Sequence, residues 1–117
     1  MRKAGYMAKP LTADEVTREQ LLEVSEEVKK NHNAKKVILF GSKAKGLLQK
    51  DSDIDLCIII EKPNKRRIDI AREVRTDLRD YIAAPLDVLV YDEKSFNERA
   101  ALGITMEASI QREGIEL

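Results

Sequence analysis

The sequence predicts a single α/β domain in which a small mixed β-sheet packs against helices. Three short apolar runs, at residues 37–40, 54–60 and 86–91, have the length and aliphatic composition of buried strands. Longer segments between and around these runs carry apolar residues three or four positions apart, which is typical of amphipathic helices. The length of 117 residues is about that of one domain and leaves little room for a second core.

The composition limits the functions that are open to the chain. Apolar residues make up 43% and charged residues 36%, so an aliphatic core can be covered by a densely charged surface. The 21 basic and 21 acidic residues balance, which argues against a protein that coats nucleic acid, and no direct DNA binding is expected. No stretch is long and apolar enough to cross a bilayer, and no signal-peptide core is present. We therefore expect no membrane association and a cytoplasmic location.

The first helix is expected to begin at Thr12, because Thr12 and Glu15 have the spacing of a capping box. Apolar residues at nearly helical spacing continue to Val28, and the polar residues 31–33 predict the end of this helix. We interpret residues 1–11 as a flexible N-terminal segment and assign residues 12–117 to the domain.

The middle of the chain is expected to alternate between strands and helices. Residues 41–51 are predicted to form a turn, with a helical stretch after Ser42. The strongest strand, at 54–60, contains Cys57, a lone cysteine that we expect to be a buried free thiol. Pro63 predicts the start of a second long helix, and Pro85 predicts its limit.

The C-terminal part is expected to be helical. Ser95 and Glu98 have the spacing of another capping box and predict a helix start. Gly103 predicts a break, and Gly114 predicts the end of the last helix.

Three aspartates and a Gly-Ser pair are expected to meet at one edge of the sheet. Asp53 and Asp55 are alternate residues of an extended segment, so their side chains project to the same side. Asp87 opens the third strand after a helical connection of the kind that joins parallel strands. The first strand ends at Gly41, a short loop before Asp53, and is therefore antiparallel to the second. This topology brings the three carboxylates and Gly41-Ser42 together.

The residue types in this pattern indicate a magnesium and triphosphate site. Three adjacent carboxylates resist ionisation unless a cation lies among them, and Mg²⁺ prefers carboxylate and phosphate oxygens. Two such ions about 3.5–4 Å apart can activate an attacking oxygen and stabilise a leaving one. Gly41 permits close approach of a phosphate, Ser42 adds a hydroxyl and an N–H group, and Lys43 and Lys45 can neutralise phosphate charge.

Weaker interpretations of the same residues stay open at this point. A lone Asp-x-Asp is common at strand starts, and Lys43 and Lys45 taken alone are ordinary surface charges. A P-loop is excluded because Leu47 stands where that motif requires lysine. It is the combination of the Gly-Ser pair, the Asp-x-Asp motif and a third aspartate after a helical connection that indicates the site.

These motifs resemble a known family. The Phe-Gly-Ser sequence at 40–42, ten intervening residues and the Asp-Ile-Asp-Leu sequence at 53–56 resemble the signature of the DNA polymerase β-like nucleotidyltransferase superfamily. The short chain is similar to the minimal nucleotidyltransferase (MNT) group, from about residue 14 to the C-terminus. The resemblance implies a nucleotidyltransferase fold in which Asp53 and Asp55 bind metal and Asp87 binds metal or activates the acceptor hydroxyl. Gly41 and Ser42 would hold the triphosphate.

The resemblance also implies a function and a partner. Many MNT proteins are antitoxins paired with a helical HEPN-domain toxin, and some transfer AMP from ATP to a toxin tyrosine. We therefore expect an Mg²⁺-dependent transfer of a nucleoside monophosphate, AMP from ATP, to a hydroxyl on a HEPN toxin. Lys43 and Lys45 stand where relatives often have arginine, so the charge is kept but the bidentate fork is lost.

Two alternatives remain open on the sequence alone. The domain is either a catalyst or a non-catalytic antitoxin that neutralises its partner by occlusion. It can also be the nucleotidyltransferase subunit of an enzyme that modifies a small molecule or RNA. The small size of the chain favours a partner protein that supplies the other half of the site.

Overall fold

The computed structural model describes residues 10–44 and 53–117, and these form a four-stranded mixed sheet with helices on both faces. The strand order is β3-β2-β1-β4. β1 is antiparallel to both β2 and β4, whereas β2 and β3 are parallel, as the sequence predicted for the first three strands. The strands are β1 (Lys36–Phe40), β2 (Ile54–Ile60), β3 (Leu86–Asp92) and β4 (Ile115–Glu116).

The helices connect and cover these strands. In chain order they are α1 (Arg18–His32), α2 (Gly41–Ala44), α3 (Arg67–Leu78), α4 (Glu93–Ala100) and α5 (Met106–Glu113). The predicted break near Gly103 and the end at Gly114 are confirmed, because α4 and α5 are separated by residues 101–105 and Gly114 is the C-cap of α5. None of the described helices has the length and apolar character that a bilayer crossing requires.

The predicted start of α1 at Thr12 is wrong, because the helix begins at Arg18 after a second capping box. The backbone N–H of Thr12 does donate to the Glu15 carboxylate at 2.8 Å, but that bond closes a turn. The helix begins at a second box, in which the hydroxyl of Thr17 accepts from the Gln20 N–H at 3.2 Å and the Gln20 side chain accepts from the Thr17 N–H at 2.8 Å. Val16 is buried before the helix starts, so its apolar character did not mark a helical position. The end of α1 is confirmed at Asn33, with φ 53°.

Two other predicted helix starts are also wrong. α3 begins at Arg67 and not at Pro63, because its first buried position is Ile70 and no side chain caps it earlier. α4 is capped by Asp92, whose carboxylate accepts from the Ser95 N–H at 2.9 Å. Ser95 therefore supplies a donor inside the first turn and is not itself the cap.

The connection after α3 ties residue 11 to the fold. α3 ends at Leu78, and Ile82 forms an isolated parallel bridge with Leu11. The Leu11 N–H donates to the carbonyl of Tyr81 at 2.9 Å, and the Ala83 N–H donates to the carbonyl of Leu11 at 2.7 Å. The rest of the N-terminal segment, residues 1–9, lies outside the described residues, as do residues 45–52.

The sheet separates two apolar clusters. The larger cluster lies between the sheet and helices α1 and α3, and it includes Leu21, Val24, Leu56, Ile58, Val74 and Leu78. The smaller cluster lies under α4 and α5, and it includes Ile38, Cys57, Ile59, Phe96 and Ile110. Cys57 is a fully buried free thiol, as predicted, and burial raises its pKa to about 12. The thiol therefore has no accessible role in chemistry.

Candidate functional site

Two of the predicted aspartates lie side by side where β2 and β3 begin. In the parallel register of these strands, Asp55 is the direct partner of Asp87. Asp53 lies immediately before β2 and is exposed. We call this end of the two strands, with Asp53, Asp55 and Asp87, the acidic edge. The topology predicted from the sequence therefore places all three residues at the same end of the sheet.

The acidic edge opens on the α4/α5 face of the sheet. Because side chains alternate along a strand, Asp55 shares a face with Cys57. Asp87 shares the same face with Tyr91. Cys57 and Tyr91 belong to the cluster under α4 and α5. Among the described residues, the two helices cover that part of the face, and the carboxylates lie beyond them, where Asp87 is exposed and Asp55 is half-buried.

The electrostatics of Asp55 reflect the negative charge of the neighbouring aspartates at the acidic edge. The pKa of Asp55 is raised from 3.8 to about 6, first by burial, then by a hydrogen bond with Asp87 and the charge of Asp87, and last by the charge of Asp53. A hydrogen bond between two carboxyl groups requires a proton on one of them. Below about pH 6 the pair can share a proton, and above it a bound cation would relieve the repulsion between the two carboxylates.

The donor set of the acidic edge fits a hard divalent cation such as Mg²⁺. Its ligands would be carboxylate oxygens, and a cation between Asp55 and Asp87 would replace the shared proton. The protein itself supplies two adjacent ligands, the carboxylates of Asp55 and Asp87. Within residues 10–44 and 53–117, no three Asp, Glu, His or Cys side chains are arranged to hold an ion. Substrate phosphates commonly complete such a site.

Gly41 lies directly against the Asp55 carboxylate. Its neighbour Phe40 is the cross-strand partner of Asp55, which brings the start of α2 over the acidic edge. Gly41 has φ +73°, and a Cβ atom at this position would overlap the Oδ2 atom of Asp55. Glycine is therefore required here for two reasons, a left-handed backbone and direct contact with a site carboxylate.

The other predicted phosphate ligands cannot be placed in the same way. α2 includes Ser42 and Lys43, so their backbone follows Gly41 at the acidic edge, but their side chains are not among the described parts of the chain. Lys45 lies outside the described residues. The roles of Ser42, Lys43 and Lys45 therefore stay predictions.

One buried polar network was missed by the sequence analysis. Glu107 on α5 is buried, and its carboxylate accepts from the Tyr91 hydroxyl at 2.6 Å and from the Arg99 Nε at 3.1 Å. The Tyr91 ring packs edge-on against Phe96, with centroids 5.3 Å apart. The Tyr91 hydroxyl is thus used to hold α5 on the sheet. A glutamate in a helix gives no sequence signal of burial, and only Arg99 eight residues earlier hints at a pair.

Comparison with known proteins identifies the family. The family model for the nucleotidyltransferase domain matches residues 21–111, which include β1, the acidic edge and β3. A crystal structure of a proposed nucleotidyltransferase from Sulfolobus solfataricus is similar to this fold, with a TM-score of 0.51 and 25% sequence identity over 79% of this chain and 84% of that one. No protein of curated function is significantly similar. The chain belongs to the nucleotidyltransferase domain family.

Proposed function

We propose that this domain transfers a nucleoside monophosphate, AMP from ATP, to a hydroxyl group in an Mg²⁺-dependent reaction. The observation that carries the proposal is the Asp55–Asp87 pair at the acidic edge of a nucleotidyltransferase domain. A half-buried carboxylate whose pKa is raised by burial and by neighbouring carboxylates gains most from a bound cation. Nucleoside triphosphates reach enzymes as magnesium complexes, so the substrate supplies that cation.

Each residue of the acidic edge has a role in this proposal. Asp53 and Asp55 hold Mg²⁺, of which two ions are expected, and Asp87 either completes the metal site or accepts the proton of the acceptor hydroxyl. When bound, the metal supplies charge neutralisation at the triphosphate and at the attacking and leaving oxygens. Gly41, Ser42, Lys43 and Lys45 position the triphosphate, and the family supports this assignment.

The transfer conserves atoms and charge in a single displacement. The acceptor oxygen forms a bond to the α-phosphorus, and the bond from that phosphorus to the bridging oxygen of pyrophosphate breaks. The proton of the hydroxyl passes to solvent, through the Asp87 carboxylate where that residue acts as the base. Catalysis comes from alignment of the two oxygens and from neutralisation of charge, since the chain adds no covalent intermediate.

The acceptor is proposed to be a partner protein, a HEPN toxin that the domain neutralises as its antitoxin. Support comes from the resemblance of the motifs at 40–42 and 53–56 to MNT proteins and from the small size of the fold. At the acidic edge, Asp53 and Asp87 are exposed. Exposed carboxylates at the edge of the sheet suit an acceptor that is itself a macromolecule.

Intact-mass spectrometry tests the proposal. The domain is purified with the protein encoded beside it and incubated with Mg²⁺ and each of the four nucleoside triphosphates. We expect the mass of one AMP on the partner with ATP, and none with Asp53→Asn or Asp55→Asn. The matched control Asp69→Asn changes a half-buried aspartate of α3 that pairs with Arg66, away from the acidic edge, and it should transfer normally.

Absence of a mass change with all four nucleotides, in a complex that still forms, would overturn the catalytic proposal. The domain would then be an antitoxin that acts by occlusion. Transfer to a small molecule or RNA, with an unmodified partner, would overturn the protein acceptor but not the transfer itself.

A further inference from the structure

A groove lies near the start of β3, on the face of the sheet opposite to the Asp87 side chain. It has a volume of about 310 Å³ and is bounded by the C-terminal turn of α3 and the connection that leads into β3. Arg75 and Arg79 form its charged wall, and Ile82 and Leu86 contribute apolar surface. We call this the basic groove. Its size is at the lower end of the range for ligand sites.

The two arginines of the basic groove contrast with Arg66 and Arg99, which are held by carboxylates of the chain. Arg66 pairs with Asp69, and Arg99 donates to a buried carboxylate. In the part of the chain that the structure describes, Arg75 and Arg79 have neither an ion pair nor a side-chain hydrogen bond. The helix dipole favours cations in the last turn of α3 but does not require a cavity between them. Two free guanidinium groups that line one groove indicate an anionic ligand.

The rest of the groove fits a peptide better than a nucleotide. Its described lining contains no aromatic side chain, so a base would have nothing on which to stack. The lining residue Leu86 opens β3, which is an edge strand of the sheet. The outer side of an edge strand carries backbone groups that pair with extended peptides. Planar guanidinium groups bind carboxylates through two parallel hydrogen bonds.

The groove and the acidic edge are adjacent through one peptide bond. Leu86 lines the groove, and Asp87 follows it in β3. Their side chains point to opposite faces, so a ligand that reaches both must pass around the start of β3. An extended peptide advances roughly 3.3–3.6 Å per residue, so about four residues span roughly 13–14 Å.

We infer that the basic groove binds an acidic segment of the acceptor protein, with glutamate or aspartate side chains on Arg75 and Arg79. These acidic residues lie within about four positions of the hydroxyl that receives the nucleotide. The inference rests on the proposed function for the identity of the ligand as acceptor. The groove then selects the acceptor, and the acidic edge performs the transfer.

Binding is tested without metal or nucleotide, so that catalysis plays no part. The ¹⁵N-labelled domain is titrated with a pentapeptide that has tyrosine between pairs of glutamates, with its glutamine counterpart, and with inorganic phosphate. The glutamate peptide should shift the amide signals of residues 82–86 and the Nε signals of Arg75 and Arg79. Replacement of both arginines by glutamine should weaken binding by about tenfold or more. The control Arg72→Gln removes one positive charge from α3 outside the groove and should bind as the wild type does.

Two results would overturn the inference. One is binding of the glutamine peptide that is as tight as binding of the glutamate peptide. The other is normal binding by a double variant that circular dichroism shows to be folded. Tighter binding of phosphate than of the glutamate peptide would assign the groove to a phosphate group instead.

A transfer assay separates this inference from the proposed function. With Mg²⁺ and ATP, the double variant should show a raised KM for an acidic acceptor peptide and an unchanged kcat. Binding without transfer would contradict the proposed function and leave the groove assignment in place. Transfer that ignores the acidic residues would contradict the groove assignment alone.

Discussion

The two faces of the sheet use the same strands for different purposes. On the α1/α3 face, the successive positions Ile54, Leu56 and Ile58 of β2 are all buried apolar residues. On the α4/α5 face, the strand begins with Asp55 and becomes apolar only at Cys57. A side-chain period of two lets one strand stabilise the fold on one side and present chemistry on the other.

The difference extends to the helices that cover each face. α1 and α3 cover theirs with a continuous aliphatic layer. α4 and α5 cover only the part of their face that lies away from the acidic edge. The buried hydrogen bond from Tyr91 to Glu107 joins α5 to the sheet. In the part of the chain that the structure describes, this incomplete cover leaves Asp53 and Asp87 exposed. We therefore expect substitutions on the two faces to separate activity from stability.

The largest expected effect is on activity. Asp55→Asn should lower the rate of nucleotidyl transfer by about 10³-fold or more, because electrostatic contacts at a developing charge are worth about that much. The folded domain should lose no stability, since the change removes a half-buried charge beside Asp87. The measurement is the initial rate of AMP incorporation together with the urea midpoint. A variant that is both active and folded would contradict the assignment of Asp55.

The next effect is on stability and compares the faces through neighbouring isoleucines. Ile58→Ala should lower the free energy of unfolding by about 2–5 kcal/mol, because Ile58 is fully buried in the larger cluster. Ile59→Ala, its neighbour in the smaller cluster, should cost less. Urea denaturation of both variants measures the difference. A larger loss for Ile59→Ala would show that the α4/α5 face carries more of the stability than its packing suggests.

A matched pair of glycines gives a smaller effect. Gly41 and Gly103 have φ values of +73° and +79°, so alanine at either position should cost about 1–2 kcal/mol of stability. Only Gly41→Ala also pushes a Cβ atom against the Asp55 carboxylate, whereas nothing lies within 4 Å at Gly103. Transfer rates should therefore fall for Gly41→Ala alone. Equal rates in the two variants would argue that Gly41 serves only the backbone.

The smallest expected effect is a pH dependence of stability in the metal-free domain. The pKa of Asp55 is about 6 in the folded state and 3.8 in its ordinary state. Between these values the unfolded chain releases the proton while the folded domain retains it, so the free energy of unfolding falls as the pH rises. Denaturation between pH 4 and 7 should show this slope in the wild type and in Asp69→Asn. The slope should be lost in Asp55→Asn, and Mg²⁺ should restore stability above pH 6.

The strands and their directions were predictable from the sequence, and so was the acidic edge. The apolar runs fixed β1, β2 and β3 to within one residue at each end, and the helix between β2 and β3 required that these strands be parallel. Direct pairing of Asp55 with Asp87 follows from that topology. Local pattern and sheet geometry agree here, which explains the success.

Features that depend on tertiary context were not predictable in the same way. Thr12 and Thr17 both begin a capping box, and burial of Val16 between them decided which one starts the helix. β4 has only two residues, and its pairing with β1 leaves no periodic signal. Burial of Glu107 depends on Tyr91 and Arg99, which approach it only in the folded chain.

The central claim is that the acidic edge is a metal-dependent nucleotide site. The most direct test is a crystal structure of the domain with Mn²⁺ and a non-hydrolysable ATP analogue, in which anomalous scattering locates the metal. The account predicts a peak between the carboxylates of Asp55 and Asp87, with Asp53 as a further ligand and the triphosphate on the side of Gly41. Metal that binds elsewhere, or nucleotide bound with Asp55 and Asp87 still hydrogen-bonded to each other, would contradict it.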